Sequence, residues 1–552
     1  MFNSVNLLDR LDEWKRRFGS GRTAELERLL ATVARHRFRK ATSLIGLHET
    51  LLFLRAYPRS AEVARRADRI LLSFANRVAQ LSSSGVDLGP FEEPEVSGMA
   101  GTSFTAVFSY HAARQLAARH PRDIEIDWER YDDCDRLGPV IPRFLPWLDE
   151  DWPVEAHVPF QDWVRAARGP GGSDLEWLLE RIQGLPLAER AGSYDALGLP
   201  LAWKLGNSPA TRSRMRFPAR TRFYHRTPLL KRSDVSLAAE LEGPALPITR
   251  LSPAEAKRIL DLTLDTSAVR YRELYGFIHP DTRNVYRAEA GRGVDIFFFG
   301  VGPEWRLPLR AYHSAVFSKN GVPIGYVEVL SLFERAEVGF NLYYTFREGE
   351  SAWLYARVLR LFHQILGVNT FSVDPYQLGH LNDEAIDSGA FWFYRKLGFR
   401  PVDPAVLRLT EREEHRLRTQ PGYRTPPPTL RRLAHGYMLY EGPGSQSGAW
   451  DRFRVRNLGV AVTRRLARRF GGDEALMRAF VGDSLGVPVN HPLALVFALI
   501  PGLDRWTPSD KSAAAAILRA KEHAAEARYL RLLQCHPRLR LEILRFGASS
   551  PE

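Results

Sequence analysis

The run Asp387-Ser-Gly-Ala390-Phe-Trp-Phe-Tyr394-Arg-Lys396-Leu-Gly398-Phe399 places a phenol four residues before a glycine that can end a helix. Read as a helix, it presents Tyr394 on one face. It stops at Gly398 through the left-handed cap that glycine permits, and it sends Phe399 into the core. A phenol can donate a proton and a carboxylate can accept one. Glu328 and Glu337 are the candidate carboxylates, on stretches that read as neighbouring strands. Other chemical signals are thin. The acids from Asp123 to Asp135 are of the type that holds a hard cation, but they lack the Asp-x-Asp-x-Asp-Gly loop spacing. Gly291-Arg-Gly293 and Gly300-Val-Gly302 match neither a dinucleotide nor a P-loop pattern, and no Gly-x-Ser-x-Gly elbow occurs. The histidines show no metal spacing. His363 reads as helix surface and His380 as a loop residue beside Gly379. With only Cys134 and Cys535 present, a disulfide framework and a thiolate zinc site are excluded, and a reduced, cytoplasmic setting is expected.

The elements that must position these groups begin at Pro247. Ile248-Thr249-Arg250 reads as a short strand. Ser252 then caps a helix, Pro253 suits its first position, and Glu255 completes a capping box. Strands are expected at residues 294–299 and 312–318, with Lys319-Asn320-Gly321 as a tight turn into a strand at 322–330. A third strand is expected at 337–346. A helix from Ser351 to Leu366 follows from the spacing of Leu354, Val358, Leu361, Phe362 and Ile365. After it come a strand at Thr370 to Val373, a helix at 383–397 and a strand beginning at Phe399.

This order resembles the GNAT acyltransferase fold, an α+β class with a mixed sheet and flanking helices. The run from Asp387 to Phe399 is similar to that family's closing pattern, Asn/Asp-x-x-Ala-x-x-x-Tyr-x-Lys-x-Gly-Phe, at the same spacing. The resemblance covers residues 246–442 and implies transfer of an acyl group from acetyl-CoA, or another acyl-CoA, to an amine. It assigns Tyr394 to protonating the departing thiolate and Glu337 to accepting the amine's proton, with Glu328 as the rival. It also implies that Asn341, Leu342, Tyr343 and Tyr344 face the pantetheine arm. Arg347, Gly349, Ser351, Ala352 and Asp387 complete the implied CoA site. His380 and Asn382 lie where substrates approach in that fold. The family's pyrophosphate loop, Arg/Gln-x-x-Gly-x-Gly/Ala, places backbone N–H groups at a helix N-terminus. Here the corresponding run is Arg347-Glu348-Gly349-Glu350-Ser351-Ala352. Arg347 and Ala352 fit, but Glu350 replaces the first expected glycine, and a carboxylate aimed at a pyrophosphate repels it. Either Glu350 turns outward and Gly349 gives the close approach, or the CoA site is lost.

The rest of the chain sets the context. Hydrophobic residues at 45% and charged residues at 26% are ordinary for a globular protein. No apolar run reaches the roughly 18 residues that span a bilayer, so membrane insertion is not expected. The first residues turn charged at Asp9 and Arg10, which leaves no signal-peptide core. Glycine- and proline-rich breaks divide the chain into a mainly helical region at 1–168, a helical and irregular connection at 174–245, the acyltransferase-like region at 246–442 and a basic helical region at 449–552. The formal charge is +13, and residues 451–552 hold 17 Lys and Arg against 10 Asp and Glu. Such a region attracts nucleic acid or another anionic partner, or is a solvated helical surface. Two further functions fit these residues: a non-catalytic binding module of the same fold, and aminoacyl transfer from a charged tRNA.

Overall fold

Ile124 and Ile126 are buried and Glu125 between them is exposed, the one-sided burial that alternation of acid and apolar residues predicts. They form β2 (Ile124–Ile126), which pairs with β3 (Pro200–Lys204), itself paired with β1 (Ser103–Val107) in a three-stranded sheet. The computed structural model describes residues 4–18, 22–153 and 158–549. This small sheet belongs to the first of two compact units, Met1–Pro228 with Arg258–Ile278 and Asn320–Pro323. Helices dominate its N-terminal part, where Leu26, Leu29, Leu30 and Val33 are buried on one stripe. The break at residues 168–173 does not separate units. Ser173 caps the Asp174–Gln183 helix, and Arg168 Nε donates to Asp174 at 2.7 Å, so the glycines form a tied turn.

The second unit comprises Leu229–Lys257, His279–Lys319 and Ile324–Glu552. Its strands are β4 (Ile248–Arg250), β5 (Pro280–Gly291), β6 (Val294–Val301), β7 (Ala311–Lys319), β8 (Val322–Leu332), β9 (Arg335–Leu342), β10 (Thr370–Val373), β11 (Arg400–Pro401) and β12 (Met438–Glu441). Their order across one mixed sheet is β11-β12-β10-β9-β8-β7-β6-β5-β4. Asn320 and Gly321, at the tip between β7 and β8, have φ of 52° and 80°, the type I′ geometry whose twist suits a hairpin. At the other end of the sheet the last strand, β12, inserts between β10 and β11. Only β9 and β10 are seen to run parallel among the described pairs, and the Ser351–Leu366 helix is their crossover.

That parallel pair is short. Arg335, Ala336 and Glu337 face Thr370, Phe371 and Ser372, and β9 then continues to Leu342 paired only with β8. The divergence has a local cause. Asp374 accepts from the amides of Tyr376 and Gln377 and turns the chain into the Pro375–Leu378 helix, so β10 cannot follow β9 further. The opening that results is a gap in strand pairing: residues 338–342 of β9 have no partner on β10.

Several expectations need correction. The third strand stops at Leu342, and Tyr344–Phe346 is a 3-10 turn. The helix expected at 383–397 is two, Asp383–Asp387 and Ala390–Lys396, broken where Gly389 takes φ of 69°. β5 had no counterpart in the sequence reading. The stretch after 448 is helical as expected, but it shares a compact unit with the sheet. Trp450 Nε1 donates to Glu334 at 2.8 Å and Tyr529 donates to the Leu309 carbonyl at 2.6 Å. Among the described residues no helix is long and apolar enough to cross a membrane.

Candidate active site

Residues directly opposite on antiparallel strands share a face. Glu337 lies opposite Leu330, and Glu328 opposite Gly339, which makes the two carboxylates diagonal neighbours on one face of the sheet. Phe340 points to the other face, where its ring meets Tyr355 of the Ser351–Leu366 helix at 5.0 Å. Glu328 accepts a hydrogen bond from the Tyr312 hydroxyl. Burial pushes its carboxyl above the usual range, against the pull of that hydrogen bond. Glu337 is instead flanked by guanidinium groups, Arg310 at 3.4 Å and Arg335 at 3.6 Å.

Tyr394 approaches from the helix side. Leu397, Gly398 and Phe399 close the end of its helix as the glycine predicts: the Phe399 amide reaches the Tyr394 carbonyl at 3.2 Å, with Gly398 at φ of 102°. The Tyr394 ring packs on Tyr355 at 5.5 Å and on Phe399 at 5.7 Å. Burial raises its phenol well above the usual range, and the charge of Asp374 adds to the effect. Asp374 is pushed up by burial and then by Glu337. This carboxylate at the end of β10 is thus influenced by Glu337 and in turn influences the phenol. Sequence reading missed it, although Asp before Pro after a strand is a capping signal.

In the loop that precedes the Ser351–Leu366 helix, Glu350 does not turn outward. Its carboxylate neither faces solvent nor heads an open helix end. It is 2% exposed and bound by Arg292, by Lys319 Nζ at 3.1 Å and by the Leu230 amide at 3.1 Å. Lys319 is as buried as its partner, and burial lowers its ammonium to about 8 despite the pull of Glu350. Two cations draw this carboxylate inward, a pairing between residues far apart in sequence.

The remaining residues fall around the opening unevenly. Leu342, Tyr343 and Ala352 are buried, Ser351 and Gly349 are half-buried, and Tyr344 is exposed. Arg347 donates to Glu384 and to the Leu342 carbonyl at 3.4 Å, so its guanidinium faces protein. Asp387 is exposed at the end of its short helix. His380 stacks near His435 at 4.9 Å, while Asn382 caps the Asp383–Asp387 helix through the Ala385 amide.

A second group of chemical interest lies in the first unit. His48 Nε2 is 2.8 Å from Ser213 Oγ, and His48 Nδ1 is 3.1 Å from Glu49. The order resembles a hydrolytic relay, but His48 and Ser213 are both fully buried. No acyl carbon can reach the hydroxyl, which also accepts from the Ala100 amide at 3.0 Å. The group is an interior network. Burial lowers His48 to about 4, and does the same to His313 in the second unit. Their unfolded values lie near 6.5. Between those values the unfolded chain binds more protons, so this stability is complete above about pH 6.5 and is lost as pH falls through about 4. Urea unfolding should show each unit weakening over that window by up to about 3 kcal/mol per histidine. Replacing His48 with Gln should flatten the first unit's slope. An unfolding free energy that stays constant from pH 7 to 4 would contradict neutral, buried imidazoles.

Comparison with family models, with curated proteins and with solved structures finds no match.

Proposed function

We propose that the second unit is a GNAT-type N-acyltransferase that moves an acyl group from acyl-CoA to an amine. The observation that carries this reading is that β9 and β10 part after Glu337, with Glu328 and Glu337 on one face of the sheet and Tyr394 packed on Tyr355 at the other. The inserted last strand and the spacing from Asp387 to Phe399 support the same reading. Ser351 and Ala352 begin the crossover helix, whose first amides have no partner within the helix and suit phosphate oxygens. Glu350 does not oppose them directly, because its charge is matched by Lys319 and Arg292.

The residues divide the work. Glu337 holds the acceptor as an ammonium. Glu328, with its raised proton affinity, accepts the proton that the amine must lose before attack. The amine nitrogen bonds the acyl carbon as the carbon–sulfur bond breaks, Tyr394 gives its proton to the sulfur, and the second proton shed by the new amide nitrogen restores the phenol. A phenol whose ionisation is suppressed stays loaded for that step.

One observation favours a second donor. Lys319 and Arg292, the cations beside the N-cap of the crossover helix, are engaged by Glu350 and so are not offered to a pyrophosphate. Aminoacyl transfer from a charged tRNA needs no such site. A melting curve separates the two, since a ligand that binds only the folded chain raises the midpoint. Acetyl-CoA should raise it for the thioester reading. A rise with aminoacyl-tRNA and none with acetyl-CoA would select the second.

A further inference from the structure

Beside Glu337 lies a cavity of about 180 Å³, lined by Arg310, Arg335, Arg454, Arg456 and the rings of Tyr437, Trp450 and Phe453. Four arginines and one carboxylate contribute to its wall, and that carboxylate, Glu337, pairs with Arg310 and Arg335. Arg335 is buried, and its Nε donates to Ser372 Oγ at 3.0 Å. Its guanidinium carbon sits 5.5 Å from the Tyr437 ring, 5.6 Å from Trp450 and 5.9 Å from Phe453. Arg454 approaches the Tyr437 ring at 5.2 Å, and its Nη1 is held by the carbonyls of Asp451 and Phe453 at 3.1 and 2.8 Å. Aromatic faces and backbone carbonyls thus fix these cations before any ligand arrives, which reduces the ordering needed on binding.

Buried charge of one sign is costly unless it is matched. The nearest other acid on β9's leading turn, Glu334, is already taken by Arg540 and Trp450. Burial, the largest influence on Arg335, lowers its proton affinity, and Glu337 compensates only in part. An anionic group of a ligand supplies the balance, and guanidinium edges bind carboxylates in two-point fashion. The single carboxylate in the wall, Glu337, suits an ammonium. A cavity of about 150 Å³ admits benzene, so this one has room for a small molecule with both charges.

We propose that this cavity is the acceptor site and takes a free α-amino acid, its carboxylate among the arginines and its ammonium at Glu337. The assignment of the cavity as an acceptor site rests on the acyltransferase reading. Glu328 is the diagonal neighbour of Glu337 toward the opening, so an amine held at Glu337 is next to the group that deprotonates it. The class also explains why a carboxylate at this position is flanked by arginines: the same side chain that orders Glu337 orders the ligand's far end.

The test is calorimetric titration of the full chain with each proteinogenic amino acid, without acyl-CoA. At least one should bind saturably. Its decarboxylated amine and its deaminated acid should each bind at least tenfold more weakly. Arg335→Met and Arg454→Gln should each weaken the amino acid at least tenfold, with melting curves checking that the variants are folded. Glu337→Gln should weaken the amino acid but spare the deaminated acid. Equal binding of the decarboxylated amine, tighter binding of phosphoethanolamine than of any amino acid, or no binding by the folded chain would each overturn the proposal. Acetyl-CoA is titrated separately. Amino-acid binding without acetyl-CoA binding would leave a binding site in place and remove the transferase reading.

Discussion

Tyr394→Phe should lower turnover by about 10²–10⁴, the usual worth of a positioned general acid, while acetyl-CoA binding stays nearly unchanged. The ring packs on Tyr355 and Phe399, and phenylalanine keeps those contacts, so the loss reports the hydroxyl. An interaction made only in the transition state lowers kcat and kcat/KM together. Glu328→Gln should also slow transfer, most severely at low pH, where the amine arrives protonated and needs a base. Its raised carboxyl, set by burial, places the lower limb of the pH–rate profile above the ordinary carboxylate range. If Tyr394→Phe retains full turnover, the phenol only packs and the proton comes from elsewhere.

Glu350→Ala should be the most damaging of the stability variants, at about 3–5 kcal/mol, because it leaves a buried ammonium without its partner. Lys319 Nζ keeps only the Arg292 carbonyl at 2.7 Å, and the Leu230 amide and the Arg292 guanidinium lose the carboxylate they donate to. For a unit of this size the melting point falls by roughly 5–8 °C. The paired change of Glu350→Leu with Lys319→Met should recover part of the loss, since an apolar pair replaces the fully buried ionic one and only the part-exposed Arg292 is left without the carboxylate. The variant should not tighten CoA binding, as it would if the carboxylate faced the pyrophosphate. A stable Glu350→Ala protein with improved affinity would show that the carboxylate faces the ligand.

The parts of the fold legible in the sequence are those governed by neighbours along the chain. The Asn320-Gly321 turn, the capping box at Ser252 and Glu255, the Ser351–Leu366 helix and the four residues of β10 all follow from local spacing. β5 escaped because charged residues interrupt its alternation and its pairing with β6 shifts register twice. The glycine-rich run after Glu441 reads as a linker, but Glu441 accepts from the Gly448 amide and pairs with Arg400. Arg400 also reaches Asp451, which ties the segments together. Composition alone cannot reveal such a return contact.

The site divides in the same way. Tyr394, Glu328 and Glu337 can be found from a motif and strand patterns. The arginine-lined cavity cannot, because its walls come from Arg310 just before β7, from β8 and β9, and from residues 437–456, and 68 of the chain's residues are arginine. Glu350 is the sharpest case. Its neighbours in sequence suggest a damaged phosphate loop, whereas its neighbours in space make it an interior counter-ion.

The central claim is that the opening beside β9 receives an acyl-CoA, and calorimetric titration of the full chain with acetyl-CoA tests it most directly. The account predicts saturable binding near one equivalent per chain, with Tyr394→Phe retaining the affinity within a few-fold. Absence of binding at millimolar acetyl-CoA, with the protein folded and its melting midpoint unmoved, would contradict it.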